Sequence, residues 1–171
     1  AISDVDLGAV RGIAVTATAD GNGRWQYSLD GGANWLDVGA VSDASSLLLR
    51  STDHLRFVPD GQNATSASIS YRAWDQTGVG LAGDRADTTV NGGTTAFSTA
   101  TDTASITVTD LNNAPVLAPA TPVLQSITED DLGNAGQTVA SFVGGSISDV
   151  DLGAVQGIAI TSTTDGNGRW Q

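Results

Sequence analysis

An all-β sandwich repeated in tandem is the fold class this sequence predicts, and three observations predict it. The first is composition: Thr, Ser, Val and Gly abound in the 171 residues, while Lys and Met are absent and Glu occurs once, so the usual helix builders are nearly missing. The second is pattern, because short segments of alternating polarity are separated by clusters of Gly, Asp and Asn. The third is self-similarity. AISDVDLGAVRGIAVTATADGNGRWQ, which opens the chain at Ala1, returns as SISDVDLGAVQGIAITSTTDGNGRWQ ending at Gln171, with 21 identities in 26 positions at an offset of 145 residues. A fixed period of this kind decides architecture before any single residue does.

The elements follow in order. Ile13, Val15 and Ala17 fall on one face of a first strand, and Asp20-Gly-Asn-Gly23 makes a turn whose Asn22-Gly23 pair suits positive φ. Trp25, Tyr27 and Leu29 share one face of the next strand; Leu47 to Leu49 and Leu55 with Phe57 mark two more. Ile69, Tyr71 and Ala73 form an inward row that leaves Trp74 on the other face, and Ala104, Ile106 and Val108 form a second row. Between those rows, residues 78–103 are rich in Gly, Asp and Thr and read as a long loop carrying a small hairpin or extra strands. Asp110-Leu-Asn-Asn-Ala-Pro115 opens a linker, after which Val123 to Ile127 and Thr138 to Val143 are strand candidates. The period therefore cuts through a sandwich. Residues 1–115 are expected to be a repeat lacking its own first strand, and residues 116–171 the linker and first strands of the next repeat.

Charge narrows the partners. Eighteen Asp, one Glu and seven Arg give a net charge of −12, the opposite of the basic footprint that nucleic acids require and of what an anionic membrane attracts. No run of 18 apolar residues predicts membrane insertion. Without cysteine there is neither a disulfide framework nor a thiolate zinc site. Asp is the short carboxylate of turns and caps, the reading given to Asp20, Asp30, Asp37, Asp43 and Asp165, and it is also the common oxygen ligand of hard cations.

Several motifs carry a family resemblance. Ile106-Thr-Val-Thr-Asp-Leu-Asn-Asn-Ala-Pro115 resembles the strand and linker that end a cadherin repeat, where a D-x-N-D-N-x-P segment binds calcium between domains. Asp75, closing Ile69-Ser-Tyr-Arg-Ala-Trp-Asp75, resembles the A-x-D aspartate of that family, and Asp60 stands where a D-R-E group is often found. Asp4-Val-Asp6 and Asp149-Val-Asp151 resemble its D-x-D, and Glu129 the glutamate of its first strand. The resemblance covers nearly the whole period and is closest to the cadherin-like and immunoglobulin-like repeats of large bacterial surface adhesins, many exported by type I secretion. The linker is one residue shorter than the family pattern and lacks its second Asp, and D-R-E is reduced to Asp60-Gly-Gln62. The resemblance implies a Greek-key sandwich and an interdomain Ca2+ site drawing on Asp110, Asn112, Asn113 and Asp60 from one side and Asp149 and Asp151 from the other. Asp4, Asp6, Asp75 and Glu129 would serve the equivalent junctions at either end. It also implies an extracellular or cell-surface setting.

Two Asp at i and i+2 of an extended chain point to opposite sides, so each D-x-D can share one ion only where the segment bends. The expected function is a structural extender, with neighbouring repeats of the same protein as partners and no catalysis. One alternative is a repeat that itself grips a glycan or protein, with Trp74 as the candidate aromatic. Another is head-to-tail self-assembly by strand exchange, residues 123–143 of one copy completing the open edge of the next. Ser28-Leu-Asp30-Gly-Gly32-Ala-Asn-Trp35 matches S-x-D-x-G-x-x-W, the Asp-box of sialidase propellers; occurring once per period, it reads as a hairpin brace. His54 stands without a catalytic constellation, and Asn63-Ala-Thr65 is a glycosylation sequon that reads as a loop.

Overall fold

The computed structural model describes residues 10–171, and Asp4 and Asp6 therefore lie outside the described residues. The chain divides into two units, Ala1–Leu111 and Asn112–Gln171. In the first, a five-stranded antiparallel sheet contains β1 (Gly12–Ala19), β4 (Ser46–Arg50), β6 (Thr65–Trp74), β7 (Arg85–Ala86) and β8 (Phe97–Val108) in the order β7-β4-β1-β6-β8. A three-stranded antiparallel sheet holds β2 (Gly23–Ser28), β3 (Leu36–Asp37) and β5 (His54–Pro59) in the order β3-β2-β5. All-β character is thus observed, and every pairing is antiparallel.

Both sheets contribute to one apolar core. Val15, Leu47, Leu49, Ala67 and Ile69 from the larger sheet meet Trp25 and Tyr27 of β2 and Val38, with Ile13, Leu29, Leu55, Phe57 and Tyr71 packed around them. Trp25 and Phe57 stand edge to face with ring centroids 5.3 Å apart, a pairing worth about 0.5–1.5 kcal/mol beyond its area. The other face of the large sheet is also covered. Ala14, Leu48, Trp74 and Phe97 form a second cluster with Ala86 and Ala96, which is why β4 is apolar at three consecutive positions instead of alternating. The segment over this face is tied down by Leu48 N–H to the Asp84 carbonyl (3.1 Å) and Gly83 N–H to the Leu48 carbonyl (2.8 Å). Thr88, fully buried, shares a hydrogen bond with Ser46 Oγ at 3.0 Å and donates to the Asp43 carbonyl. The extra strand expected within residues 78–103 is β7, together with the first residues of β8.

Four sequence expectations are corrected. Ala17 is exposed, because the β1 to β6 register slips by one residue between Val15 and Ala17; this bulge turns Thr16 inward, where its hydroxyl donates to the Ser70 carbonyl at 3.2 Å, and inverts the alternation beyond it. The row Ala104, Ile106, Val108 is not core: β8 is an edge strand, Ala104 is exposed and Ile106 is 41% exposed. The opposing sheet has three strands against five.

In the second unit, Val123 to Ile127 form no strand, and Val139–Val143 form a single helical turn, α1. The regular pairing there joins β9 (Val116–Leu117) to β10 (Ile147–Ser148). A segment without a neighbouring strand must satisfy its peptide groups locally, as Ser141 does by donating its N–H and hydroxyl to the Thr138 carbonyl. The same logic governs the repeat. Residues 157–164 match β1 at five of eight positions yet form no strand. β1 is built between β4 and β6, and the sequence holds no second set of residues like 46–50 and 65–74 to receive its copy.

Candidate functional site

Topology places three of the candidate acidic residues of the first unit, Asp60, Asp75 and Asp110, at the two ends of its larger sheet. β6 begins at Thr65 opposite Val108 of β8 and ends at Trp74 opposite Gly12 of β1. Asp60, which precedes β6, and Asp110, which follows β8, therefore lie at one end. Asp75, immediately after β6, lies at the other, where the chain enters β1. Ten residues of extended strand place these ends roughly 33 Å apart.

At the first end, Asp60 donates its N–H to the Asn22 carbonyl at 2.8 Å and accepts from Gln62 N–H at 3.0 Å. Thr65 of the sequon accepts the Asn22 N–H at 3.1 Å, so its hydroxyl braces the same turn. At the second end, Asp75 Oδ1 accepts from both the N–H (2.8 Å) and the hydroxyl (2.6 Å) of Thr77, while its own N–H donates to the Ala96 carbonyl. Asp110 is exposed.

In the second unit the linker runs antiparallel beside the repeat of the D-x-D segment. Beyond the β9 to β10 pairs, Ala118 N–H donates to the Ser146 carbonyl, and Asn113 N–H donates to Asp151 Oδ2 at 2.8 Å. Asp149 Oδ1 accepts from Asp151 N–H at 2.9 Å. That bond bends the chain at Asp149-Val-Asp151, the condition two carboxylates at i and i+2 need to share an ion. Asn112 Nδ2 donates to the Asn113 carbonyl at 2.9 Å. The linker residue Asn113 and the D-x-D pair are thus brought together, whereas Glu129 is exposed in a turn far along the sequence. The donors are carboxylate, amide and backbone oxygens, a set that fits a hard cation such as calcium. Among the described residues no group of three or more His, Cys, Asp or Glu side chains converges as a metal cluster.

The hairpin brace is built as its motif suggests. Ser28 Oγ donates to Asp30 Oδ1 at 2.7 Å and accepts from Gly32 N–H at 2.8 Å. Asp30 in turn accepts from Asn34 N–H (2.9 Å) and Asn34 Nδ2 (2.6 Å). These bonds, led by the Asn34 side chain, hold the Asp30 carboxyl at about 2, below its ordinary 3.8. Trp35 packs under the Arg56 guanidinium, 3.9 Å from ring centroid to cation. Trp74 is 2% exposed beneath the segment that follows it and presents no stacking face to a sugar. His54 is exposed on β5, opposite Ser28 in register.

The resemblance sets Asn113 and Asp151 at one junction; what sequence reasoning missed is the β9 to β10 pairing beside their N–H bond, a two-residue pairing with no periodic signal. Comparison with protein-family models, with curated proteins and with solved structures yields no match to this chain.

Proposed function

We propose that the chain is a structural extender repeat of a secreted bacterial adhesin or surface fibre: Greek-key sandwiches stacked with a period of 145 residues and stiffened by Ca2+ at each junction. The observation that carries this reading is the position of three candidate ligands, Asp60, Asp75 and Asp110, at the ends of the larger sheet. Asp60 and Asp110 lie at the end from which the linker leaves, and Asp75 at the end where the preceding linker would arrive. An extender needs its ion ligands where neighbours meet, and an enzyme would need them in one cleft. The bend at Asp149-Val-Asp151 and its bond to Asn113 support the same reading, since they bring the linker backbone beside the D-x-D carboxylates. Calcium there would neutralise carboxylates that repel one another at close range; Asp110, Asn112, Asn113, Asp149 and Asp151 would hold it, joined by Asp60. Asp4, Asp6, Asp75 and Glu129 would act at the junctions before and after.

The test is a calcium titration of a chain spanning two whole periods, read by thermal melting and small-angle scattering. Binding at about 100 times the dissociation constant adds roughly 2.7 kcal/mol, with an accompanying gain in extension. Identical melting and identical scattering in calcium and in chelator would remove the proposal.

A further inference from the structure

Strand lengths in the first unit are unequal in an ordered way. β8 has twelve residues, β6 ten and β1 eight, against two to six in the other strands. These three longest strands are consecutive neighbours, β1-β6-β8, in the larger sheet. The core does not explain the length of β8. Of its twelve residues only Phe97 is buried, and residues 99–107 are all exposed, whereas about 5–6 residues is the usual size of a strand. What holds β8 is its ladder with β6, which runs from Trp74 opposite Phe97 to Thr65 opposite Val108.

The chain enters and leaves this trio at opposite ends. β1 begins at Gly12 opposite Trp74, the last residue of β6, and β8 finishes at Val108 opposite Thr65, the first residue of β6. Tension carried by the chain from residue 11 to residue 109 therefore pulls β1 toward one end and β8 toward the other, along the strands. Ladder hydrogen bonds lie perpendicular to the strands, so a pull in this direction strains the whole of each ladder at once. A pull across the strands would open the pairs one at a time. Side chains reinforce the same seam, because four consecutive residues of β6 bond to β8 beyond the ladder. Ser70 Oγ stands 3.1 Å from Thr103 Oγ1, and the Tyr71 hydroxyl donates to Asp102 Oδ2 at 3.4 Å. Arg72 Nη1 donates to the Ser98 and Thr99 carbonyls at 3.2 and 2.7 Å, and Ala73 N–H donates to Ser98 Oγ at 2.9 Å. β1 is held on both sides, since residues 12–15 also pair with residues 47–50 of β4. Among the described strands β8 pairs with β6 alone.

We propose that the first unit resists tension along the chain, and that the β6 to β8 ladder with its side-chain bonds is the seam whose rupture sets the unfolding force. β1 must leave two ladders to be drawn out and β8 only one, so the seam yields first. Forced unfolding reads the unfolding barrier and not the equilibrium stability. A strand that adds little to the core can therefore still govern the force, which accounts for a long, exposed β8. Resistance of this kind goes beyond extension, which needs length and stiffness; here the unit stays folded under a pull. Its basis is strand direction, so it is independent of calcium and stands if the junction reading fails.

The test is single-molecule pulling on the whole 171-residue chain with chelator present. Because the chain has no cysteine, paired substitutions at exposed positions fix where the pull is applied. Val10→Cys with Thr109→Cys directs it along both ladders, whereas Ala64→Cys with Thr109→Cys, at adjacent ends of β6 and β8, directs it across one. The two variants are expected to melt alike, and the along-strand pair to unfold at a severalfold higher force at the same pulling rate. Equal forces, or a lower force along the strands, would overturn the proposal. The seam itself is tested with end tags as handles. Ser70 turns its carbonyl to β1, so it and Thr103 exchange no ladder bonds, and such pairs lie about 4.5 Å apart at Cα, within disulfide range. Oxidation of Ser70→Cys with Thr103→Cys is expected to raise the force of the first unit's unfolding event, and reduction to restore it. Identical forces in the two states would place the barrier outside the β6 to β8 seam and overturn that assignment.

Discussion

Single side chains show how much of this fold rests on short polar braces. Asp30 is the clearest, since three donors converge on its carboxylate and lower its pKa to about 2. A folded-state pKa below the unfolded value of 3.8 means that the brace contributes fully above about pH 4 and is lost as pH falls toward 2. Melting temperatures of the wild type are therefore expected to fall more steeply across that window than those of Asp30→Asn, which cannot titrate; parallel curves would show the brace to be energetically idle. Gly12 is constrained in another way. A Cβ there would sit 2.7 Å from the Leu49 carbonyl oxygen and 2.8 Å from the buried Trp74 ring. Gly12→Ala is expected to destabilise by about 1–3 kcal/mol, the usual cost of forcing atoms into a packed site. Gly133→Ala, where no atom lies within 4 Å, is the control, and equal melting of the two variants would contradict this packing. The S-x-D-x-G-x-x-W brace was legible because its hydrogen bonds all close within residues 28–34. The demand on Gly12 was not, since it comes from two strands 37 and 62 residues away.

At the scale of elements, nearly the same residues form a central strand at 12–19 and no strand at 157–164, so strand structure here is conferred by neighbours more than by local preference. Amide exchange should be slow across β1 and fast across 157–164 in this chain. In a chain spanning two whole periods both segments should be protected, and rapid exchange at 157–164 there would mean that the second copy does not enter a sheet. The same dependence explains which elements could be read in advance. β1, β2, β4, β5 and β6 carry apolar rows that find a core, and alternation located them. Ala17 was misplaced because a bulge leaves no mark on polarity. The row ending at Val108 was misplaced because alternation cannot tell an edge from a centre. Val123 to Ile127 and Thr138 to Val143 have strand-like composition without strand partners. Leu48 adds a measurable case: buried on the face away from the main core, it is expected to cost about 2–5 kcal/mol on truncation to Ala, a loss that a solvated outer face would not produce.

For the whole molecule, the proposed function makes a directional prediction that separates it from a scatter of turn-forming aspartates. Asp60 and Asp75 are only 15 residues apart in sequence, and both accept hydrogen bonds from the second residue after them. As turn residues they are equivalent. As junction ligands they are opposed, because β6 carries them to opposite ends of the sheets. In a chain of two whole periods, the first-period Asp60 faces the inner junction and the first-period Asp75 faces outward. Asp60→Asn in the first period is therefore expected to weaken calcium stabilisation of that junction by about tenfold in affinity, roughly 1.4 kcal/mol, with melting in chelator little changed. Asp75→Asn in the first period is expected to leave the inner junction untouched, and the same substitution in the second period to weaken it. Calcium titration followed by melting separates these outcomes. If both first-period variants lose calcium stabilisation equally, or neither does, the sorting of carboxylates to the ends is a consequence of turn chemistry alone and carries no junction.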